Sequence, residues 1–338
     1  MRVSRIVGVV LFVVVCPAVV LGGSDYSDKD FAVRFPPAFI RLREVSAQGG
    51  ETAANRWSSA INPASADWLK IPITLGVLAP YYNYIGFDSG NRIHLIAESA
   101  TVQLEGIGTL QPTLSQIHSN GDVDNTGLTF DFDVDTAQLL WAKRWGDWAF
   151  GAVFNFATAK TTREMGPIRV ADATAESYRF RFGVLHECTP GWLGGLVFEY
   201  GFAPTRSTAL VPTPMGFIPM KTEDTQHQFI LRPGISHEYA EMSTIYADYQ
   251  YGAYFNDDDT LHSHRFNAGV EHRVLEWLFV RVEGSVDTRG NMGWSAGLGA
   301  HLGEYLSVDL GYHYDIFPEL RPEFGRSDSV QVVVAIRV

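Results

Sequence analysis

From about Pro72 to the C-terminal Val338 the chain alternates apolar and polar residues with period two. Successive side chains of a strand point to opposite faces, so each such run carries one apolar and one polar face. Leu306, Val308, Leu310, Tyr312, Tyr314 and Ile316 fall on one face, and Ser307, Asp309, Gly311, His313 and Asp315 on the other. Arg179 and Arg181 oppose Tyr178, Phe180 and Phe182; Arg265 and Asn267 oppose Phe266 and Ala268; Arg281 and Glu283 oppose Val280 and Val282. The last run sets Val330, Val332, Val334, Ile336 and Val338 against Gln331, Val333, Ala335 and Arg337. Most runs reach or exceed the roughly nine to eleven residues that cross a bilayer at a tilt, against about five to six in soluble β-domains.

Two kinds of connection alternate between the runs. Trp145-Gly146-Asp147, Cys188 to Gly191, Tyr239 to Met242, Leu275-Glu276 and Gly303-Glu304 are short; Thr162 to Ala173, Ser207 to Asp224, Asn256 to Thr260 and Pro318 to Asp328 are longer and polar. Phe87 to Asn91 and Asp287 to Asn291 are short members of the second series. Short turns at one end and longer loops at the other are the layout of a bacterial transmembrane barrel. Trp141, Trp145, Trp148, Trp192, Tyr239, Trp277 and Tyr305 lie where runs meet the short turns, the place of an interfacial aromatic girdle. The expected fold is all-β: a transmembrane antiparallel β-barrel of about fourteen strands, with twelve as the alternative count. A secreted β-sandwich with a Trp-rich core is the soluble alternative.

Composition agrees. Charged residues make up 19% and aromatics 13% of the chain, and 32 residues are Gly. Mean hydropathy lies near zero, as it should when half of each strand is polar. A net charge of -12 with no offsetting basic stripe argues against a nucleic-acid partner. Arg2 and Arg5, the apolar run Ile6 to Val15 and the small-residue end Val20-Leu21-Gly22 read as a signal peptide over 1–22. Cys16 fits lipidation poorly between Val15 and Pro17, and beyond the signal only Cys188 remains, so no intrachain disulfide is expected. Residues 23–71 do not alternate and form a separate N-terminal plug, with one short helix expected near Ala53 to Ala60; residues 72–338 form the barrel. The expected location is the bacterial outer membrane, with its lipid and lipopolysaccharide as partners.

Within the N-terminal segment, Ala47-Gln48-Gly49-Gly50-Glu51-Thr52-Ala53 is followed by Ala60-Ile61-Asn62-Pro63-Ala64. This resembles the hatch of the FadL-type outer-membrane transporters for hydrophobic compounds, in which Gly/Ala-rich residues lead to an Asn-Pro-Ala motif and then a fourteen-stranded barrel. The resemblance implies that Gly49, Gly50, Asn62, Pro63 and Ala64 form the hatch motif. It further implies a passive channel for fatty-acid-like or aromatic small molecules, without cofactor or hydrolysis. In that family an inward kink of the third strand opens sideways to the bilayer, which assigns Gly106, Gly108 and Pro112 as a candidate lateral opening, with Pro233-Gly234 as a rival. The chain departs from the family pattern at Ser65, where Gly is frequent, and at Val338, where an aromatic is frequent. Secretion-system scaffolds share this layout, so a non-transporting scaffold with an envelope-protein partner is the second reading and a small-solute porin the third.

No catalytic constellation stands out. Asp131, Asp133 and Asp135 have the spacing of a calcium loop but lack its Gly and distal Glu, and their alternation with Phe130, Phe132 and Val134 places them in the lumen as plain acids. His262 and His264 share one face without a locatable third metal ligand. Asn256-Asp257-Asp258-Asp259 is a solvated loop tip or a divalent-cation bridge to lipopolysaccharide. Arg179, Arg181, Arg265, Arg281, Glu283, Asp309 and His313 are expected to face inward as a polar network, either holding the plug or gating a path, because buried charges must pair or be solvated.

Overall fold

The alternating runs pair with their sequence neighbours, and the first pairs with the last, so that no edge is left. The computed structural model describes residues 52–56, 59, 61–68, 77–87, 92–123, 128–213, 216–256, 260–288, 290–302, 306–314 and 326–336. Fourteen strands are described: β1 (Val77–Phe87), β2 (Arg92–Leu104), β3 (Gly108–Val123), β4 (Leu128–Trp145), β5 (Trp148–Met165), β6 (Ile168–Thr189), β7 (Trp192–Thr213), β8 (Gly216–Ala240), β9 (Ser243–Phe255), β10 (Thr260–Leu275), β11 (Leu278–Asp287), β12 (Met292–Leu302), β13 (Leu306–Tyr314) and β14 (Ser327–Ile336). Each pairs antiparallel with the next, and β1 closes on β14 through pairs such as Tyr82 with Val332. Closure is the general solution to the unpaired sheet edge. Among the described residues no helix is long and apolar enough to cross a membrane. The signal region, Gly49, Gly50, Asp257 to Asp259, Tyr305 and Arg337 lie outside the described residues.

Parity then sorts the side chains. Ile96, Leu114, Leu139, Phe154, Phe182, Val282, Leu298 and Leu310 stand exposed on the outer face. Glu199, Arg232, Asp248, Arg265, Asn267, Arg281, Glu283, Asp309 and His313 are buried on the inner face. Trp145, Trp148, Tyr239 and Trp277 are exposed at the short-turn end. A wall that is apolar outside and polar inside inverts the arrangement of a soluble barrel core.

Two expected loops are strand. β5 and β6 run on to a tight turn at Gly166-Pro167, and β7 and β8 run on to Thr213 and Gly216, so Thr162 to Ala173 and Ser207 to Asp224 are extended hairpin. Arg206 pairs with Glu223 across it at 3.3 Å, and the Ser207 and Thr222 hydroxyls meet at 2.5 Å. Polar and apolar side chains are mixed on both faces there, with Met165, Ile168, Phe217, Ile218 and Met220 exposed, so regular alternation is lost while the ladder continues. The chain over Ala53 to Ala60 also differs: its described residues are turns and a bend, and the short helix is the 3-10 turn Pro63–Asp67 instead. Asn62 caps it, Pro63 opens it with a pre-set φ, and Asn62 Oδ1 accepts from Ala64 N at 3.0 Å.

Proline sets the local breaks in pairing. Register pairs lapse for two positions, without a shift, where Pro80 faces β14, Pro112 faces β2, Pro204 faces β6 and Pro233 faces β9. Each keeps its pair on the other side, for example Pro112 with Leu139. A residue without N–H cannot donate to one of its two ladders.

Candidate functional site in the barrel lumen

The segment from Thr52 to Trp68 rests against the inner wall near the short-turn end. Its seat is made by missing side chains. A Cβ on Gly151 would lie 2.4 Å from Ala64 N, one on Gly183 2.0 Å from Asn62 Oδ1, and one on Gly195 2.0 Å from Ala53 O. One on Gly234 would lie 3.0 Å from Thr52 Oγ1. Gly151 pairs with Gly183 and Gly195 with Gly234, so the four glycines of β5 to β8 make a trough for backbone-to-wall contact. Around it Ala64 and Trp68 pack on Ala149, Leu185 and Leu193; Ala66 packs on Leu140, Ala142 and Val153; Ala53 and Ile61 pack on Val197.

Polar groups fix this seat. Asn62 Nδ2 donates to Ala53 O at 2.7 Å, closing the segment on itself, and to Val184 O of β6 at 3.0 Å. Ser65, the departure from the family pattern, donates to Asn55 O. Asp67 accepts from Thr109 Oγ1 at 2.6 Å and from Arg144 N at 2.7 Å, while the Arg144 guanidinium lies 3.9 Å over the Trp68 ring. Arg56 pairs with Glu238 at 2.9 Å, and Ser236 Oγ donates to Ala54 O at 2.7 Å. Strands β8 to β10 add a buried hub: Asp248 accepts from Arg232 at 2.8 Å, from Asn267 Nδ2 at 2.7 Å and from Ala53 N at 3.2 Å. Thus Asn62, Pro63 and Ala64 are brought against the wall, and the hub Asp248–Arg232–Asn267 and the acid Asp67 are additions that the sequence pattern did not single out.

The seven inward charges named from the sequence divide into neighbours. Arg181 Nε bonds Glu199 Oε2 at 2.6 Å, and Arg179 bonds Asn155 Oδ1 at 3.1 Å. Glu283 Oε2 accepts from the Tyr246 hydroxyl at 2.8 Å. Arg281 is buried to 1% exposure, and its guanidinium makes no hydrogen bond among the described residues; register sets it beside Glu271, whose charge opposes it. Asp309 and His313 lie farther round on β13.

The inner wall is lopsided. On β2 to β5 the buried inward residues toward the long-hairpin end are mostly apolar, Ile93, Leu95, Ile117, Phe132, Val134, Ala157 and Ala159, with Ser119 between Ile93 and Phe132. Phe132 and Val134 therefore face in, and Asp131, Asp133 and Asp135 are exposed on the outer wall, the reverse of the lumenal placement expected for the three acids. Alternation reveals two faces, not which of them is inside; this stretch lies beyond the exposed apolar band, where the outer face can be charged. On the outer surface below it, Ile96, Leu114, Ala137 and Phe156 line a groove of about 450 Å³. Of the three lateral-opening candidates, Gly106 (φ 75°) lies in the β2–β3 turn and Gly108 (φ 111°) at the start of β3, where a Cβ would lie 2.1 Å from Ala142 O. Pro112 sits within β3 at one of the four pairing lapses described above.

No protein-family model matches the sequence, and no curated protein matches it. Solved structures do. The CymD monoaromatic hydrocarbon channel is similar at TM-score 0.54 and 14% identity, over 82% of this chain and 91% of that one. The P. putida toluene transporter TodX follows at TM-score 0.51 and 11% identity, over 83% and 94%. A Pseudomonas aeruginosa FadL homologue matches at TM-score 0.54 and 12% identity, over 86% and 96%. The class is thus a closed antiparallel barrel, here of fourteen described strands, whose fold is similar to that of these channel structures. Within that class the chain has the FadL-type fold.

Proposed function

We propose that the protein is an outer-membrane channel through which hydrophobic small molecules, fatty-acid-like or aromatic, diffuse passively. The observation that carries this reading is the apolar inner strip Ile93, Leu95, Ile117, Phe132 and Val134, which offers an apolar solute a wall without desolvation cost inside an otherwise charged lumen. The exposed apolar outer face fits lipid, since so large a patch on a water-soluble chain would drive association. Residues 1–22 act as the signal peptide, and lipid and lipopolysaccharide surround the barrel. Residues 23–71 act as the hatch, with Gly49, Gly50, Asn62, Pro63 and Ala64 as its motif. The inward network of Arg179, Arg181, Arg265, Arg281, Glu283, Asp309 and His313 keeps the remaining lumen impassable to apolar solutes. The hydrocarbon channels named above support the substrate class.

Expressed in a host with a lipopolysaccharide outer membrane, the protein is expected to raise uptake of a labelled monoaromatic hydrocarbon or fatty acid. Phe132→Asp with Val134→Asp should cut that uptake about tenfold, the equivalent of about 1.4 kcal/mol added to the path. Uptake no greater than in the host without the protein would favour the scaffold reading; a large steady conductance in planar bilayers would favour the porin.

Gly106, Gly108 and Pro112 form the lateral exit in this reading, next to the outer groove of Ile96, Leu114, Ala137 and Phe156. Pro112→Val restores a donor facing β2 and is expected to slow uptake, whereas Pro204→Val should leave it unchanged. Equal behaviour of the two variants in the uptake assay would make the Pro112 lapse an ordinary consequence of proline.

A further inference from the structure

We propose that His118, Asp131 and Asp133 form a site for one zinc-like divalent cation on the outer wall of the barrel. His118 of β3 is the register partner of Asp133 of β4, and Asp131 is the next residue on the same outward face. His118 Nδ1 lies 2.7 Å from Asp133 Oδ1 and 3.8 Å from Asp131 Oδ1, and one ligand atom from each of the three residues falls within 4.8 Å of the others. Donors on a tetrahedral zinc, at bonds of about 2.0–2.1 Å, are about 3.3 Å apart, a value the two measured separations straddle. Small side-chain rotations therefore suffice, on a paired and rigid strand backbone.

The donor set selects the ion. Two carboxylates supply the charge to balance a dication, and one imidazole nitrogen favours zinc and its transition-metal neighbours over calcium or magnesium, which prefer all-oxygen shells. Half-exposed side chains leave at least one coordination position open to water or to a ligand from outside. Asp135, two residues further along the same face, is engaged elsewhere: its Oδ1 accepts from Gln116 Nε2 at 3.1 Å. The adjoining groove of about 740 Å³ is lined also by Lys160, the register partner of Asp133 on β5, and by Arg206, so an incoming dication competes with the Lys160 ammonium for that carboxylate. The site stands whether or not the lumen conducts hydrophobic solutes.

Calorimetric titration of the mature protein in detergent with zinc chloride tests it, in a Cys188→Ser background because that thiol is exposed. One equivalent is expected to bind. His118→Ala should lose that equivalent or weaken it by more than the roughly 10–100-fold that outer-shell partners alone are worth. Asp135→Asn should bind as the parent does, and both variants should keep the strand signature in circular dichroism. No stoichiometric zinc in the parent, zinc retained by His118→Ala, or an equal loss in Asp135→Asn would each overturn the assignment.

Discussion

Gly195→Leu is expected to expel the N-terminal segment from its trough while leaving the strand ladders intact. A Cβ at this position would lie 2.0 Å from Ala53 O, 2.4 Å from Ala53 C and 2.7 Å from Ala54 Cα, all of them backbone atoms that cannot rotate away. Overpacking that side chains can relax costs about 1–3 kcal/mol; here the relief available is to move the segment as a body. Doing so abandons the Ala53–Ile61–Val197 cluster and the Asn62 bond to Val184 O. The wall is held by separate register pairs, Gly195 with Gly234 and its neighbours, which need no segment. Limited proteolysis should therefore cut near residues 52–68 in the variant and not in the parent, and planar-bilayer conductance should rise. Gly284→Leu is the control: a Cβ there meets nothing within 4 Å, and stability should stay within about 0.5 kcal/mol of the parent. A Gly195→Leu protein as protease-resistant as the parent would show that the trough is not what seats the segment.

How far this arrangement is legible in the sequence depends on what each face of a strand meets. β2, β9 and β12 begin and end where alternation places them, at Arg92 and Leu104, Ser243 and Phe255, Met292 and Leu302. In β9 and β12 one face is mostly apolar and the other mostly polar, whereas in β2 the apolar side passes from the inner face at Ile93 and Leu95 to the outer face at Ile96, Val102 and Leu104. Beyond the apolar band the signal fails: Thr162 to Ala173 and Ser207 to Asp224 read as loops because polar and apolar residues and turn formers such as Gly166, Pro167, Pro212 and Pro219 interrupt the alternation, though β-branched residues still suit a ladder. The same change inverted the reading of Asp131, Asp133 and Asp135, since a carboxylate can face either the lumen or external water and period two does not choose. The inward charges were legible because within the band a charge has only one tolerable side. The seat of the N-terminal segment was not. Gly151, Gly183, Gly195 and Gly234 are scattered over more than eighty positions of chain, and only the pairing of β5 with β6 and β7 with β8 brings them to one trough. The short helix shifted from Ala53 to Pro63 because Asn62 serves as a cap, a role the Asn-Pro turn signal concealed.

The largest loss of stability should come from Asp248→Ala. This one carboxylate answers three buried donors, the Arg232 guanidinium, Asn267 Nδ2 and Ala53 N, and Arg232 itself is only 3% exposed. Breaking a buried ion pair from one side costs about 3–5 kcal/mol, because the remaining charge is left desolvated. The midpoint of denaturant unfolding in detergent should fall accordingly. Replacing both partners, Arg232→Leu with Asp248→Leu, removes the stranded charge and should return much of that stability, since apolar pairs of similar volume often match buried ion pairs. It should not return the anchor on Ala53, so the double variant is expected to be a stable barrel whose N-terminal segment is cut by protease. The two readouts thus separate: barrel stability follows the charge on Arg232, and seating of the segment follows the carboxylate itself. If the double variant proves as unstable as Asp248→Ala, the hub stabilises the barrel by geometry rather than by charge compensation. If it seats the segment as the parent does, the bond to Ala53 N is incidental and the glycine trough alone holds the chain in place.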